Sequence, residues 1–204
     1  MDAKKLAALL AAYPARIQNA ERKHVITMPV RIQWPALAEP KAVKNDDGTM
    51  GKAKFSATFI IPAGADLSPL MSIANEAIKA KWTPEQIEKL KKSEKPLRSP
   101  LRKQSAKEDF DGFGADGHFF TASANVDYPP ALLGLGGPTD RVARNNASKV
   151  FYPGCWVLAK INAFAYSNMG NNGASFGILA LQKLADDAEL ATGGGDNSDG
   201  FGPV

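Results

Sequence analysis

The sequence predicts a mainly β chain: a small, partly open barrel of about five strands with one helical insertion, preceded by a helix and followed by a disordered acidic tail. Three observations lead there. Apolar residues recur with a period of two over several segments. The connections are rich in Gly, Asn and Pro, and the strand–helix alternation of a doubly wound sheet is missing. From Ala185 onward apolar side chains are too sparse to offset the entropy of ordering. The 204 residues, 44% of them hydrophobic, suffice for one such domain.

Residues 1–23 form a helical extension, with Leu6, Leu9, Leu10 and Ile17 loosely on one side. Two lysines before a short Leu/Ala run imitate a secretory leader. The apolar stretch ends at Ala12, and Tyr13-Pro14-Ala15-Arg16 is a poor cleavage site, so an amphipathic helix is expected. From His24 the period becomes two. His24, Ile26, Met28, Val30, Ile32 and Trp34 share one face, and Pro29 demands an edge or a bulge. Residues 35–51 read as a loop carrying the turn pair Asp47-Gly48. A strand over 52–61 sets Phe55, Ala57, Phe59 and Ile61 against Lys52, Lys54, Ser56 and Thr58.

A helix is expected over 66–82. Thr83-Pro84-Glu85-Gln86 then opens a second, short helix with a capping box and Pro at its first position. Residues 93–117 are irregular, first basic (RSPLRKQSAK) and then acidic and Gly-rich (EDFDGFGADG). A strand over 118–128, a long loop with room for a short hairpin, and strands over 150–167 and 176–184 complete the folded body, 24–184.

Composition narrows the chemistry. One cysteine, Cys155, excludes a disulfide framework and fits a reducing cytoplasm. A structural zinc needs about four ligands, and Cys155, His24 and His118 are too few and too scattered. There is no G-x-S-x-G, and GLGGPTD lacks the Lys-Ser/Thr of a phosphate-binding loop. No apolar run approaches the ~20 residues of a membrane span. The five acids from Asp186 onward face no Lys or Arg. The first 184 residues therefore hold all 25 basic residues against 16 acids, a net of +9. A basic body favours a polyanionic partner.

The strongest chemical pattern is CWVLAKINAFAY, 155–166. Cys155, Val157, Ala159, Ile161, Ala163 and Ala165 form a small apolar face. Trp156, Leu158, Lys160, Asn162, Phe164 and Tyr166 form a large one that is aromatic and basic. Rings stack on unpaired bases for roughly 1–3 kcal/mol each regardless of sequence, and neighbouring cations hold phosphates. Lys52, Lys54 and Arg31 extend the cationic track. The competing reading buries these rings in a central strand covered on both faces. Asp109, Asp111 and Asp116 offer a second chemistry, a divalent-metal nuclease or resolvase, although their spacing is not that of a calcium loop. A virion structural protein whose rings pack between subunits is a third.

Five stretches, PVRIQWPALAEPKA, GKAKFSATFIIP, IANEAIKAKW, GHFFTASA and FYPGCWVLAKINAFAYSNMGNNGASFGILALQKL, together resemble the tailed-phage single-stranded DNA-binding proteins of the OB-fold type. The resemblance spans about 24–184 and is most specific in its last stretch. It implies a five-stranded, partly open Greek-key barrel that coats single strands during phage DNA replication, recombination and repair in the host cytoplasm. It implies neither catalysis nor a cofactor. The expected core contains Ile26, Val30, Ile32, Phe55, Phe59, Val157 and Ile161. Trp156, Phe164 and Tyr166 are expected to stack bases. Arg31, Lys52, Lys54 and Lys160 are expected to hold phosphates, with Arg98, Arg102 and Lys103 closing over the strand. The acidic tail, with Asp196, Asp199 and Phe201, is similar in kind to tails that recruit replication and recombination proteins. It departs from the commonest pattern in ending Gly202-Pro203-Val204.

Overall fold

The computed structural model describes residues 1–18, 23–42, 48–168 and 170–192. Within them lie nine strands: β1 (Arg16–Gln18), β2 (His24–Ile26), β3 (Val30–Lys41), β4 (Lys54–Ile61), β5 (Arg102–Lys103), β6 (His118–Asn125), β7 (Ala131–Leu133), β8 (Trp156–Asn168) and β9 (Asn171–Ala185). Four α-helices accompany them: α1 (Ala3–Ala12), α2 (Ser68–Lys81), α3 (Pro84–Lys91) and α4 (Ala147–Val150).

Five strands close a ring. β3 pairs antiparallel with β4, β4 with β6, β9 with β8 and β8 with β3, while β6 and β9 run parallel. This is the OB-type barrel order, and closure removes the long free edges of an open sheet. The ring is uneven. β8 and β9 pair from Trp156–Ala185 to Asn168–Asn171, whereas the parallel seam consists of Ala122–Phe176 and Ser123–Gly177. Side chains hold that seam. The fully buried Phe120 stacks on Phe59 at 4.9 Å and meets Phe176 edge-on at 5.2 Å, so three rings link β4, β6 and β9 from inside. Ile32, Val157, Ile161 and Leu181 fill the rest of the interior.

α2 caps the barrel with Leu70, Ile73 and Ala74. The capping box that opens α3 forms in both directions: Thr83 N–H donates to Gln86 Oε1 at 2.9 Å, and Gln86 N–H to Thr83 Oγ1 at 3.3 Å. β1 adds to β2, and Leu10 and Ala15 pack against the core. The N-terminal extension is thus built onto the barrel. No helix of the described residues is long and apolar enough to cross a membrane.

Several segments differ from the sequence expectation. Arg16–Gln18 of the expected N-terminal helix is strand β1, Ala147–Val150 is helical where a strand was expected from 150, and 171–175 of the expected connection belong to β9. The strand over 24–34 is two strands, because Pro29 has no N–H to give the ladder and Thr27–Pro29 break step. Thr27 stays tied to β8 by exchanging bonds with Ala159. The break inverts the phase of β2, so Val25 is buried there and Ile26, expected in the core, is only half-buried. β3 continues to Lys41 through the expected loop. Pro35 and Pro40 fall where its register with β4 shifts, the positions where a strand tolerates proline. The expected hairpin in 129–149 reduces to β7, which pairs parallel with β9, and one antiparallel bridge, Leu133–Arg141. Cys155 is buried, and burial pushes its thiol up to about 12.

Phe59→Ala removes the outer ring of the seam stack and is expected to cost about 3–5 kcal/mol, read as a lower midpoint in urea denaturation. A midpoint within error of the parent would mean the seam does not depend on the stack.

Candidate nucleic-acid interface

Strand register defines the outer face of the barrel. Opposed pairs climb β4 and β6 as Ile60–Phe119, Thr58–Thr121, Ser56–Ser123 and Lys54–Asn125. Ser123 leads across the seam to Gly177, Gly177 to Asn162, and the next outward pair is Phe164–Ser175. The Thr58 and Thr121 hydroxyls bond each other at 3.0 Å. At Gly177 a Cβ would lie 2.3 Å from Asn162 Oδ1. The middle of this face is therefore a shallow floor of hydroxyls and amides, with the Asn162 side chain lying over Gly177.

Below the floor the face is covered. Residues 186–192 cross it as a strap. Leu190 is buried against Gly112 and Gly154. Ala191 N–H donates to Asp111 Oδ2 at 3.0 Å, and the buried Gln33 donates to both Asp111 O and Ala191 O, at 3.3 and 3.0 Å. Gln33 thus ties the strap and the Gly-rich loop 109–117 to β3. The first residues of the expected disordered tail are in place on the barrel wall because Arg31, Gln33 and Trp156 offer them partners.

Two expected site residues lie under the strap. Trp156 is 5% exposed, with its indole N–H on Asp187 Oδ2 at 2.8 Å and the Arg31 guanidinium over its ring. Arg31 donates to Gly154 O at 3.0 Å and Ala188 O at 2.9 Å, and lies 3.7 Å from Asp187. Its charge binds the strap, so it is not offered to a phosphate. Lys160 is half-buried between Ile26 and Ala180, two residues along β8 from Asn162 of the floor.

Other expected residues do gather around the floor. Phe164 is 43% exposed on it, with Tyr166 half-buried on the same face opposite Gly173. Lys52 and Lys54 are exposed at its upper end. Arg98 runs beside β9: its N–H donates to Asn172 O at 2.9 Å and its O accepts from Ala174 N–H at 3.1 Å. Gly173 permits this, since a Cβ there would lie 2.4 Å from Arg98 O. Arg102 covers the Phe119 ring at 4.7 Å, and Lys103 beside it is exposed. Asp109 and Asp116 are exposed and Asp111 is spent on the strap. Among the described residues no three His, Cys, Asp or Glu side chains converge as metal ligands. Asp196, Asp199 and Phe201 lie outside the described residues.

An aromatic group at the strap's end was not expected from the sequence. Trp34, expected to point inward, has φ +46° at a register shift of β3, which turns it out. Phe113 stacks on it at 5.6 Å, Phe110 meets it edge-on at 5.3 Å, and Phe113 meets Phe119 edge-on at 5.3 Å. Lys107 sits 4.6 Å above Trp34 and 4.8 Å above Phe110. A signal for it exists in the sequence: two phenylalanines in a polar, Gly-rich loop whose acids draw the eye first.

A closed OB-type barrel with an open polar floor, exposed cations and rings at its rim defines a binding protein for an extended, flat-faced polyanion. The family model described as Enterobacter phage Enc34, ssDNA-binding protein, matches residues 23–203; the chain belongs to that family. In structure it is similar to the single-stranded DNA-binding protein of bacteriophage Enc34. For the C-terminally truncated form the TM-score is 0.60 at 19% identity, covering 87% of this chain and 97% of that one. For the form in complex with ssDNA it is 0.56 at 20%, with the same coverage. It is also similar to gp2.5, a single-stranded DNA-binding protein encoded by bacteriophage T7, with TM-score 0.51 at 13% identity over 85% of this chain and 96% of that one. At these identities the likeness establishes the fold. No protein of curated function matches the chain in sequence.

The strap has a pH signature. Burial opposes ionisation of Asp187. Hydrogen bonds from the Met1 amino group, the Trp156 indole and Ala188 N–H, with the charge of Arg31, outweigh it and hold the carboxyl at about 2. A carboxyl lowered on folding stabilises above its unfolded value, about 4, and that stability fades as pH falls toward 2. Asp187→Asn is therefore expected to lower the thermal midpoint at neutral pH and to flatten its decline between about pH 4 and 2. Parallel pH profiles for the two proteins would show that Asp187 does not anchor the strap.

Proposed function

We propose that this chain coats single-stranded DNA without sequence preference, during phage DNA replication, recombination and repair in the host cytoplasm. The observation that carries the reading is the open floor of β4, β6 and the β8–β9 hairpin, with rings and cations along its rim. Small hydroxyl and amide side chains let bases lie close. Phe164 and Tyr166 supply ring faces at one side, and Lys52, Lys54, Arg98, Arg102 and Lys103 supply charge for phosphates. Sequence independence follows because stacking and phosphate contacts carry no base code and no helix is presented to a groove. The role needs no catalytic group and no cofactor. The acidic residues Asp196 and Asp199 with Phe201 are proposed as a docking segment for replication or recombination proteins.

Titration of labelled oligo-dT at several salt concentrations tests this. Binding is expected to weaken linearly on log–log axes with a slope of about −0.7 per phosphate contacted. Phe164→Ala is expected to lose about 1–3 kcal/mol, and Lys54→Ala to make the slope shallower by about one contact. Absence of binding at low salt, or equal affinity for duplex, would overturn the reading.

A further inference from the structure

We infer that Trp34 and Phe110 form a base-stacking subsite at the β3 end of the floor, whose ring faces Lys107 covers until a strand arrives. The inference rests on the single-strand-binding reading and adds residues to it.

Four observations meet at this point. Trp34 is a bulky residue held at φ +46°, a conformation that costs free energy, persists only where surroundings enforce it, and recurs at ligand clamps. The surroundings do enforce it: the indole N–H donates to Thr192 O at 3.1 Å, and Phe113 stacks on the ring at an interplanar angle of 22°. The ring is thus pre-positioned. It opens on a groove of about 790 Å³ that also takes in Ser56, Thr58 and Thr121 of the floor, with Glu39, Lys41, Tyr152 and Glu189. The rest of its lining is largely apolar, which suits the base side of a strand. Finally, Lys107 places its ammonium over both Trp34 and Phe110.

A group of rings serving only to seal the loop would bury them. Instead Phe110 is 40% exposed, and the covering group is a cation that water solvates well. Stacking with a base exceeds an exposed cation–π contact. A base therefore displaces Lys107 from the rings, and the freed ammonium lies beside the backbone of the same nucleotide. One side chain shields the subsite in the free protein and pairs with phosphate in the complex.

The test uses the full chain and oligo-dT. The chain has three tryptophans; Trp156 is buried, which leaves Trp34 and Trp82 as reporters. Tryptophan quenching on binding is expected in the parent and in Trp82→Phe, and is expected to vanish in Trp34→Phe. Phe110→Ala, at an exposed position, is expected to weaken binding about 5- to 150-fold with an unchanged urea midpoint. Lys107→Ala is expected to make the log–log salt slope shallower by about 0.7. Parental affinity in Phe110→Ala, or quenching that survives in Trp34→Phe, would overturn the subsite while leaving the function standing. A parent protein that does not bind oligo-dT would remove the function and the subsite with it.

Discussion

The barrel depends on the contact between Phe120 and its two neighbours, Phe59 and Phe176. Two seams of the ring are short: β3 and β8 pair antiparallel at Val30–Val157 and Arg31–Trp156, and β6 and β9 meet in parallel over two residue pairs. Parallel pairing over so short a length contributes little. Three rings packed behind it, one pair stacked and one edge-on, hold the seam from inside. That leaves the outer side of the same seam free for serine, threonine and glycine. The floor is polar and shallow because the closure energy comes from the core.

Much of this was legible in the sequence. Period-two alternation located β4, β6, β8 and β9, and the capping box located α3, because these elements obey local rules. β2 and β3 read as one strand with one phase, since periodicity does not register a break at Pro29. The extension of β3 to Lys41 was hidden by Pro35 and Pro40, residues that argue against a strand unless bulges are known in advance. Such errors are topological. Pairing with β4 decides the outcome, and pairing is not local.

The site was legible in part for a related reason. Alternation along β8 correctly separated two faces, and Phe164 and Tyr166 do lie on the outer one. It could not say which stretch of that face remains open. Trp156 and Phe164 have the same parity, yet one lies beneath the strap and the other faces solvent. The difference comes from residues 186–192, which carry three acids and one large apolar side chain, Leu190, and so read as tail. They order because Arg31, Gln33 and Trp156 supply partners for their carboxylate and carbonyl groups, while Leu190 fills the space at two glycines. A segment with a weak pattern of its own can still be fixed by the surface it lands on. Trp34 escaped for the converse reason: its outward turn comes from a left-handed backbone that no pattern of hydrophobicity encodes.

The arrangement around Gln33 divides the C-terminal region in two. One amide side chain holds both the loop 109–117 and the strap, so neither is independent of the other. A chain ended after Ala185 loses the strap and the strap's own hold on the loop that bears Phe110 and Phe113, the Ala191 bond to Asp111 and the packing of Leu190 on Gly112. A chain ended after Thr192 keeps both. Removing the tail of this protein is therefore two different operations, and the point of the cut decides whether the remaining barrel is still the native one.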